Sequence, residues 1–144
     1  MILHDYWRSS AAYRIRIALN LKGLVYTQVA HDLRRGDQSD AAYRAIAPQG
    51  LIPAIEVDGT VLTQSMAIIE WLDETHPDPR LLPDGAGPRA VARAMAQVVA
   101  CDIHPVNNLR ILKALKTDFG AEQPAIDAWI RHWVGGGFAA LETM

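Results

Sequence analysis

The sequence has almost no cysteine. Cys101 stands alone among 144 residues, so no intramolecular disulfide can form and a Cys-x-x-Cys redox pair is excluded. That usage, with no secretory leader pattern at the N-terminus, predicts a protein of the reducing cytoplasm. Long apolar runs are lacking too. None approaches the ~20 residues that a bilayer-spanning helix needs, so no membrane partner is expected. Nor is charge of one sign in excess: the formal net charge is −2, which argues against nucleic acid as a partner, because phosphate binding needs clustered, uncompensated Lys and Arg. The histidines, His4, His31, His76, His104 and His132, are scattered. Cys101 with His104 is too small a set for a metal centre, so no metal is expected.

What the sequence does have is apolar residues, half of the total, enough to bury a core. Ile2 to Tyr6 reads as a strand. A helix to Lys22 follows, with Ala11, Ile15, Ala18 and Leu19 on one stripe and Gly23 as its stop. Val25 to His31 reads as a second strand, Asp40 to Ala47 as a short helix and Ala54 to Val57 as a third strand. Asp58-Gly59 is a hairpin turn into Val61 to Thr63. Ser65 is expected to cap a helix through Thr75, with Ile68, Ile69 and Leu72 facing inward. This β-α-β-α-β-β-α order predicts an α/β thioredoxin-like domain with a mixed sheet over residues 1–83.

The segment from His76 to Pro88 is rich in proline and reads as an exit linker. Beyond it the strand signal disappears, and residues 84–144 are expected to form an all-α domain. Arg89 to about Lys116 reads as one helix bearing Met95, Val99, Val106 and Leu109 on a stripe shared with Asp102, which should then be buried and paired. Pro105 should bend that helix and free carbonyls near Cys101 and Asp102. Cys101 is expected in the core, and Trp129 and Trp133 in packing. A further helix starts near Gln123 and is still amphipathic at Met144, so the helical domain looks cut short.

Three places carry chemistry. Ser9 and Ser10, with Ala11 and Ala12, lie where a strand hands over to a helix, and bare N–H groups and the positive end of the helix dipole favour an anion there. Each serine also has a plain reading as an N-cap worth ~1 kcal/mol. Ile52-Pro53 precedes the third strand; a cis-proline there would leave backbone groups open to an added peptide strand, whereas a trans-proline would merely start an edge strand. Gln64-Ser65 opens the third helix with an amide and a hydroxyl suited to an amino-acid end, or serves only as a cap. The ligand that suits all three is glutathione, which brings the thiolate that the chain itself lacks.

Tyr6-Trp7-Arg8-Ser9-Ser10-Ala11-Ala12-Tyr13-Arg14-Ile15-Arg16, the stretch Pro48-Gln49-Gly50-Leu51-Ile52-Pro53, Gln64-Ser65, and Cys101-Asp102-Ile103-His104-Pro105-Val106-Asn107-Asn108-Leu109-Arg110 together resemble the zeta class of glutathione transferases. That class includes maleylacetoacetate isomerase and the similar maleylpyruvate isomerase. The resemblance covers essentially the whole chain and implies the glutathione transferase fold, a homodimer and glutathione as cofactor. It implies cis–trans isomerisation of a small dicarboxylic acid, maleylacetoacetate to fumarylacetoacetate in aromatic catabolism, with maleylpyruvate or a general transferase activity as alternatives. Glutathione would be held by Ser9, Ser10, Ala11, Ala12, Tyr13 and Arg14 at its thiol, Gln38 and Gln49 along its length, Ile52 and Pro53 through backbone, and Gln64 with Ser65 at its γ-glutamyl end. His104, Asn108, Leu109 and Arg110 match the helical-domain positions of the site.

Ser9 and Ser10 are assigned to the thiolate, Arg8 to one substrate carboxylate and Arg110 to the other carboxylate or to a developing enolate. On one unbroken helix Arg110 would sit about 120° from His104, a gap its long side chain or a bend at Pro105 must close. The chain departs from the class at Ala11, where many members carry cysteine, and in its shortened helical domain. A thioredoxin-like oxidoreductase is excluded because no thiol stands at the helix start, whereas a non-catalytic glutathione-fold interaction module remains open.

Overall fold

The first strand of the N-terminal half is buried on both faces, with Leu3 turned to one side and His4 to the other. In the computed structural model, which describes residues 1–144, this half consists of β1 (Ile2–Asp5), α1 (Ser10–Leu21), β2 (Thr27–Ala30), a 3₁₀ turn (Asp37–Ser39), α2 (Ala41–Ile46), β3 (Ala54–Val57), β4 (Thr60–Thr63) and α3 (Ser65–Thr75). The strands form one sheet in the order β2-β1-β3-β4. β1 pairs parallel with β2 and antiparallel with β3, and β3 pairs antiparallel with β4. Asp58 and Gly59 both take positive φ, 48° and 77°, the two-residue turn whose twist matches that of its strands.

Neighbouring residues on a strand face opposite sides. Leu3 and Ile55, opposite each other in the register, join Ile15, Ala18 and Leu19 of α1 and Ile68 and Leu72 of α3 in the larger core. On the other face Ala54 packs with Tyr43 and Ala47 of the α2 segment. Each fully buried aliphatic side chain contributes ~1.5–3 kcal/mol, so the layer of α1 and α3 packed side by side on one face of the sheet is the main core of this unit.

Helix α1 ends at a buried cation. Lys22 is 8 % exposed, and its ammonium donates to Asp73 Oδ1 at 2.9 Å and to the carbonyls of His76 at 2.6 Å and Pro79 at 2.9 Å. All three donors are used. Asp73 Oδ1 also accepts the Leu81 N–H at 2.8 Å, so the segment leaving α3 is tied back to α1.

The chain divides into two units, Met1–Leu81 and Leu82–Met144. The second contains α4 (Ala86–Gln97), a π-helical turn (Val98–Ile103), α5 (His104–Asn107), α6 (Leu109–Thr117) and α7 (Gln123–Leu141). The expected single helix from Arg89 to Lys116 is therefore interrupted twice. At the π turn the His104 N–H reaches back five residues to the Val99 carbonyl. One residue inserted in a helix shifts everything beyond it by about 100°. The stripe consequently passes to Ile103, 8 % exposed, and Asp102 is exposed rather than buried and paired. Cys101 is likewise exposed instead of in the core, its thiol donating to Gln97 Oε1 at 2.6 Å.

The second interruption lies at Asn108. Its ψ of 161° is extended, and its side chain accepts the N–H groups of Arg110 and Ile111, so it ends α5 and caps α6. Opposite the π turn, a Cβ on Gly137 would lie 2.4 Å from the Ile103 side chain; glycine is what lets α7 come this close. Trp129 packs in this unit as expected, donating Nε1–H to the Val106 carbonyl at 2.9 Å with its ring 5.6 Å from that of Trp133.

Replacing Lys22 with Met is expected to cost about 3–5 kcal/mol, because it removes the buried ammonium that faces Asp73 and the two carbonyls. Urea unfolding of the two chains measures the difference, and a loss below about 1 kcal/mol would show that the ammonium does not hold the segment.

Candidate functional site

The strand register brings the predicted site segments of the first unit to one end of the sheet. His4 lies opposite Ala54, Ala54 opposite Thr63, and Asp5 opposite Ala30. The exit of β1 toward Ser9, the exit of β2 toward Gln38, the entry of β3 after Ile52-Pro53 and the exit of β4 toward Gln64-Ser65 therefore share that end.

Ser9 is the N-cap of α1, and its Oγ accepts the Ala12 N–H at 3.2 Å. That bond uses an oxygen lone pair and leaves the hydroxyl hydrogen available as a donor, so capping and anion binding are compatible in one residue. Ser10 begins the helix and is exposed. Intrahelical bonding starts only with the Tyr13 N–H on the Ser9 carbonyl, at 2.9 Å, which leaves the Ala11 N–H at the positive end of the dipole. Arg8 is exposed with its guanidinium 5.6 Å over the Trp7 ring. Arg14 turns back along α1, its Nε donating to the Ser10 carbonyl at 3.4 Å. Tyr13 is exposed beneath the guanidinium of Arg16, 5.2 Å away.

At the second place the Ile52–Pro53 peptide bond is cis. Ile52 lies outside the ladder, which begins at Ala54, and its backbone groups have no main-chain partner. Two contacts fix the segment. Tyr43, its hydroxyl pushed up to a pKa of about 12 by burial, donates to the Leu51 carbonyl at 2.7 Å. Gly50, at φ 62°, has the Gln38 carbonyl 2.8 Å from where a Cβ would stand, so the Gln38 loop and the approach to Ile52 touch through a residue without a side chain. The Gln38 Oε1 is buried with no partner.

At the third place Gln64, at φ 67°, is the N-cap of α3. This corrects the expectation for Ser65, which instead sits in the first turn, 8 % exposed. Intrahelical acceptors begin with the Gln64 carbonyl, bonded by Ile68 N–H at 3.0 Å, so the N–H groups of Ser65, Met66 and Ala67 face outward along the dipole. The Gln64 side chain donates to Gln49 Oε1 at 2.8 Å, joining two predicted glutathione residues directly.

Two side-chain networks under this end were not anticipated. Asp5, fully buried, is gripped by Arg16 and bonded by Gln28. His4, expected to stand apart from the other histidines, bonds His31 Nε2 through Nδ1 at 2.9 Å and Glu56 Oε1 through Nε2 at 2.7 Å. The two partners lie on opposite nitrogens of one ring, so the three groups form a line and do not converge on a common point. The tautomers that satisfy all three have His31 donating to His4 and His4 donating to Glu56. Burial, and then His4, hold the His31 pKa below 6.5, against an upward pull from Asp37 and Asp40. Sequence alternation does put Asp5 on the face of Leu3 and His4 on the opposite one; which strands pair, and so that His4 meets Glu56, is the part it does not give.

In the second unit His104 opens α5, Asn108 caps α6, and Leu109 and Arg110 form its exposed first turn. Because the chain restarts a helix at Asn108, the 120° separation of His104 and Arg110 computed for one unbroken helix does not apply. The Asn108 side-chain Oδ1 is engaged by the N–H groups of Arg110 at 3.1 Å and Ile111 at 3.3 Å.

The family described as glutathione S-transferase, N-terminal domain, matches residues 8–75. Maleylpyruvate isomerase of a Ralstonia species is 48% identical over 144 residues, covering 100% of this chain and 68% of its own length. The chain belongs to the zeta-class glutathione transferase family. A solved structure of a maleylpyruvate isomerase described as a bacterial zeta-class glutathione S-transferase is 48% identical with a TM-score of 0.95, covering 97% of this chain and 66% of that one. A maleylacetoacetate isomerase of Methylobacterium extorquens AM1, solved with malonate and glutathione, is 44% identical with a TM-score of 0.95 over 99% of this chain and 67% of that one. The chain thus spans about two thirds of the length of these relatives. The strand order, with β3 antiparallel to both β1 and β4, gathers the three bare backbone places at one end of the sheet.

Two outcomes are expected. Gly50→Ala should cost about 1–2 kcal/mol for its left-handed φ, more with the contact to Gln38, and unfolding by denaturant measures it; an unchanged midpoint would show that the two loops yield freely. Below pH 6.5 the unfolded chain takes up a proton that folded His31 resists. Stability should therefore be full above that pH and decline as pH falls, with a slope of at most about 1.4 kcal/mol per unit until the lowered value is passed. The slope should flatten in His31→Gln; equal slopes between pH 5 and 8 would remove His31 from the account.

Proposed function

We propose that this chain carries the glutathione site of a cis–trans isomerase acting on maleyl dicarboxylic acids, with maleylacetoacetate as substrate and maleylpyruvate as the second reading. The observation that carries it is the gathering, at one sheet end, of a serine-capped helix start with no thiol of its own, an unpaired backbone at Ile52 before a cis-proline, and the Gln49–Gln64 pair beside the start of α3. These groups match glutathione: an anion acceptor, a peptide edge and a receptor for an amino-acid end. The relative solved with glutathione and malonate supports the same pairing of tripeptide and dicarboxylate.

Bound glutathione supplies a thiolate nucleophile that is recovered at the end of the reaction. The chain's own work is to stabilise that charge and to orient the acid. Ser9 and Ser10 donate hydroxyl hydrogens to the sulfur beside the Ala11 N–H, lowering its pKa. Ile52 offers backbone N–H and C=O to the peptide, and Gln49, Gln64 and Ser65 hold the γ-glutamyl end. Arg8 binds one carboxylate in a bidentate fork, and Arg110 is assigned to the other carboxylate or to the enolate oxygen formed during addition. A cytoplasmic homodimer completes the reading.

A thiolate absorbance titration with glutathione and an ultraviolet assay on both maleyl acids test it. The chain should lower the thiol pKa, and Ser9→Ala with Ser10→Ala should raise it again and reduce turnover on the order of 10²-fold. Arg8→Ala should spare glutathione retention. Retention without turnover of either acid would favour a non-catalytic module, and an unchanged titration in the double serine variant would remove the serines from the site.

A further inference from the structure

We propose that Asp5 and Arg16 are positioning residues for the sulfur-binding turn, an inference that rests on the assignment of Ser9 and Ser10 above. The turn from Tyr6 to Ser9 has one backbone bond of its own, Ser9 N–H to the Tyr6 carbonyl at 2.8 Å. Trp7 and Arg8 at its tip are exposed. Packing therefore does not hold the tip.

Arg16 reaches it from α1. Its NH1 donates to both oxygens of Asp5, at 2.7 and 2.5 Å, its NH2 donates to the Trp7 carbonyl at 3.4 Å, and its plane lies 5.2 Å from the Tyr13 ring centre. Asp5 is fully buried and is also bonded by Gln28 of β2. One guanidinium thus spans the end of β1, the turn and the first turns of α1, fixing the strand end against the helix start whose N–H groups and hydroxyls must meet the sulfur.

The charges matter as well as the shape. The pair is neutral together, so it adds no net charge beneath the turn that is to hold the sulfur. A lysine at position 16 neutralises Asp5 but has no planar fork to hold Asp5 and the Trp7 carbonyl at once. Loss of the cation altogether leaves a buried carboxylate below the turn, which opposes a thiolate.

The test is the thiolate titration of glutathione bound to the full chain, for wild type, Arg16→Lys, and the double variant Asp5→Asn with Arg16→Gln, each checked by thermal unfolding. The double variant removes both charges together and leaves no buried charge unpaired. Both variants should remain folded and raise the thiol pKa, cutting the thiolate fraction near neutral pH about tenfold. A merely structural pair would lower the unfolding temperature and leave the pKa of the bound thiol at the wild-type value, which overturns the proposal. If wild type itself leaves the thiol at its solution pKa, the serine assignment falls and this inference with it.

Discussion

Antiparallel pairing of β3 against β1 is the constraint on which the candidate site depends. Once His4 stands opposite Ala54 and Ala54 opposite Thr63, the exit of β1, the entry of β3 and the exit of β4 must emerge together. A one-residue slip would turn either Leu3 or Ile55 away from α1 and α3. The core that fixes the register therefore fixes the site, with no separate device to bring Ser9, Ile52 and Gln64 to the same end.

The buried polar groups of this unit join pieces of chain that are far apart in sequence. Arg16 with Asp5 links helix to strand, Lys22 with Asp73 links the ends of α1 and α3, and His4 with Glu56 links β1 to β3. Such pairs add little net stability over well-packed apolar residues. Their effect is to penalise alternative arrangements, since an incorrect register leaves a charge without a partner.

Local signals in this sequence are legible because their causes are local. The stripe of α1, the Asp58-Gly59 turn and the Ser9 cap depend on residues a few positions apart, and each appears in the structure. Ser9-Ser10, Ile52-Pro53 and Gln64-Ser65 are legible through equally local signals, whereas Gln38 and Gln49 are reached only through the family resemblance. The buried charges are not legible, because whether Asp5 or Lys22 finds a partner depends on strand and helix pairings remote in the chain. Asn108 was ambiguous for a different reason: asparagine is tolerated on an exposed helix face and favoured as a cap, and only the extended ψ separates the two. The π turn has no compositional mark, so the stripe through Asp102 was extrapolated past it.

That turn has a consequence for the geometry of the helical unit. A π turn is an α-helix holding one surplus residue, and the bonds on either side of Val98–Ile103 remain regular. Removing a single residue there would restore an ordinary ladder and swing the residues from His104 to the break at Asn108 around the axis. Length variation at this one spot would thus re-aim the short segment His104–Asn107, with no change to the identity of any side chain that it carries.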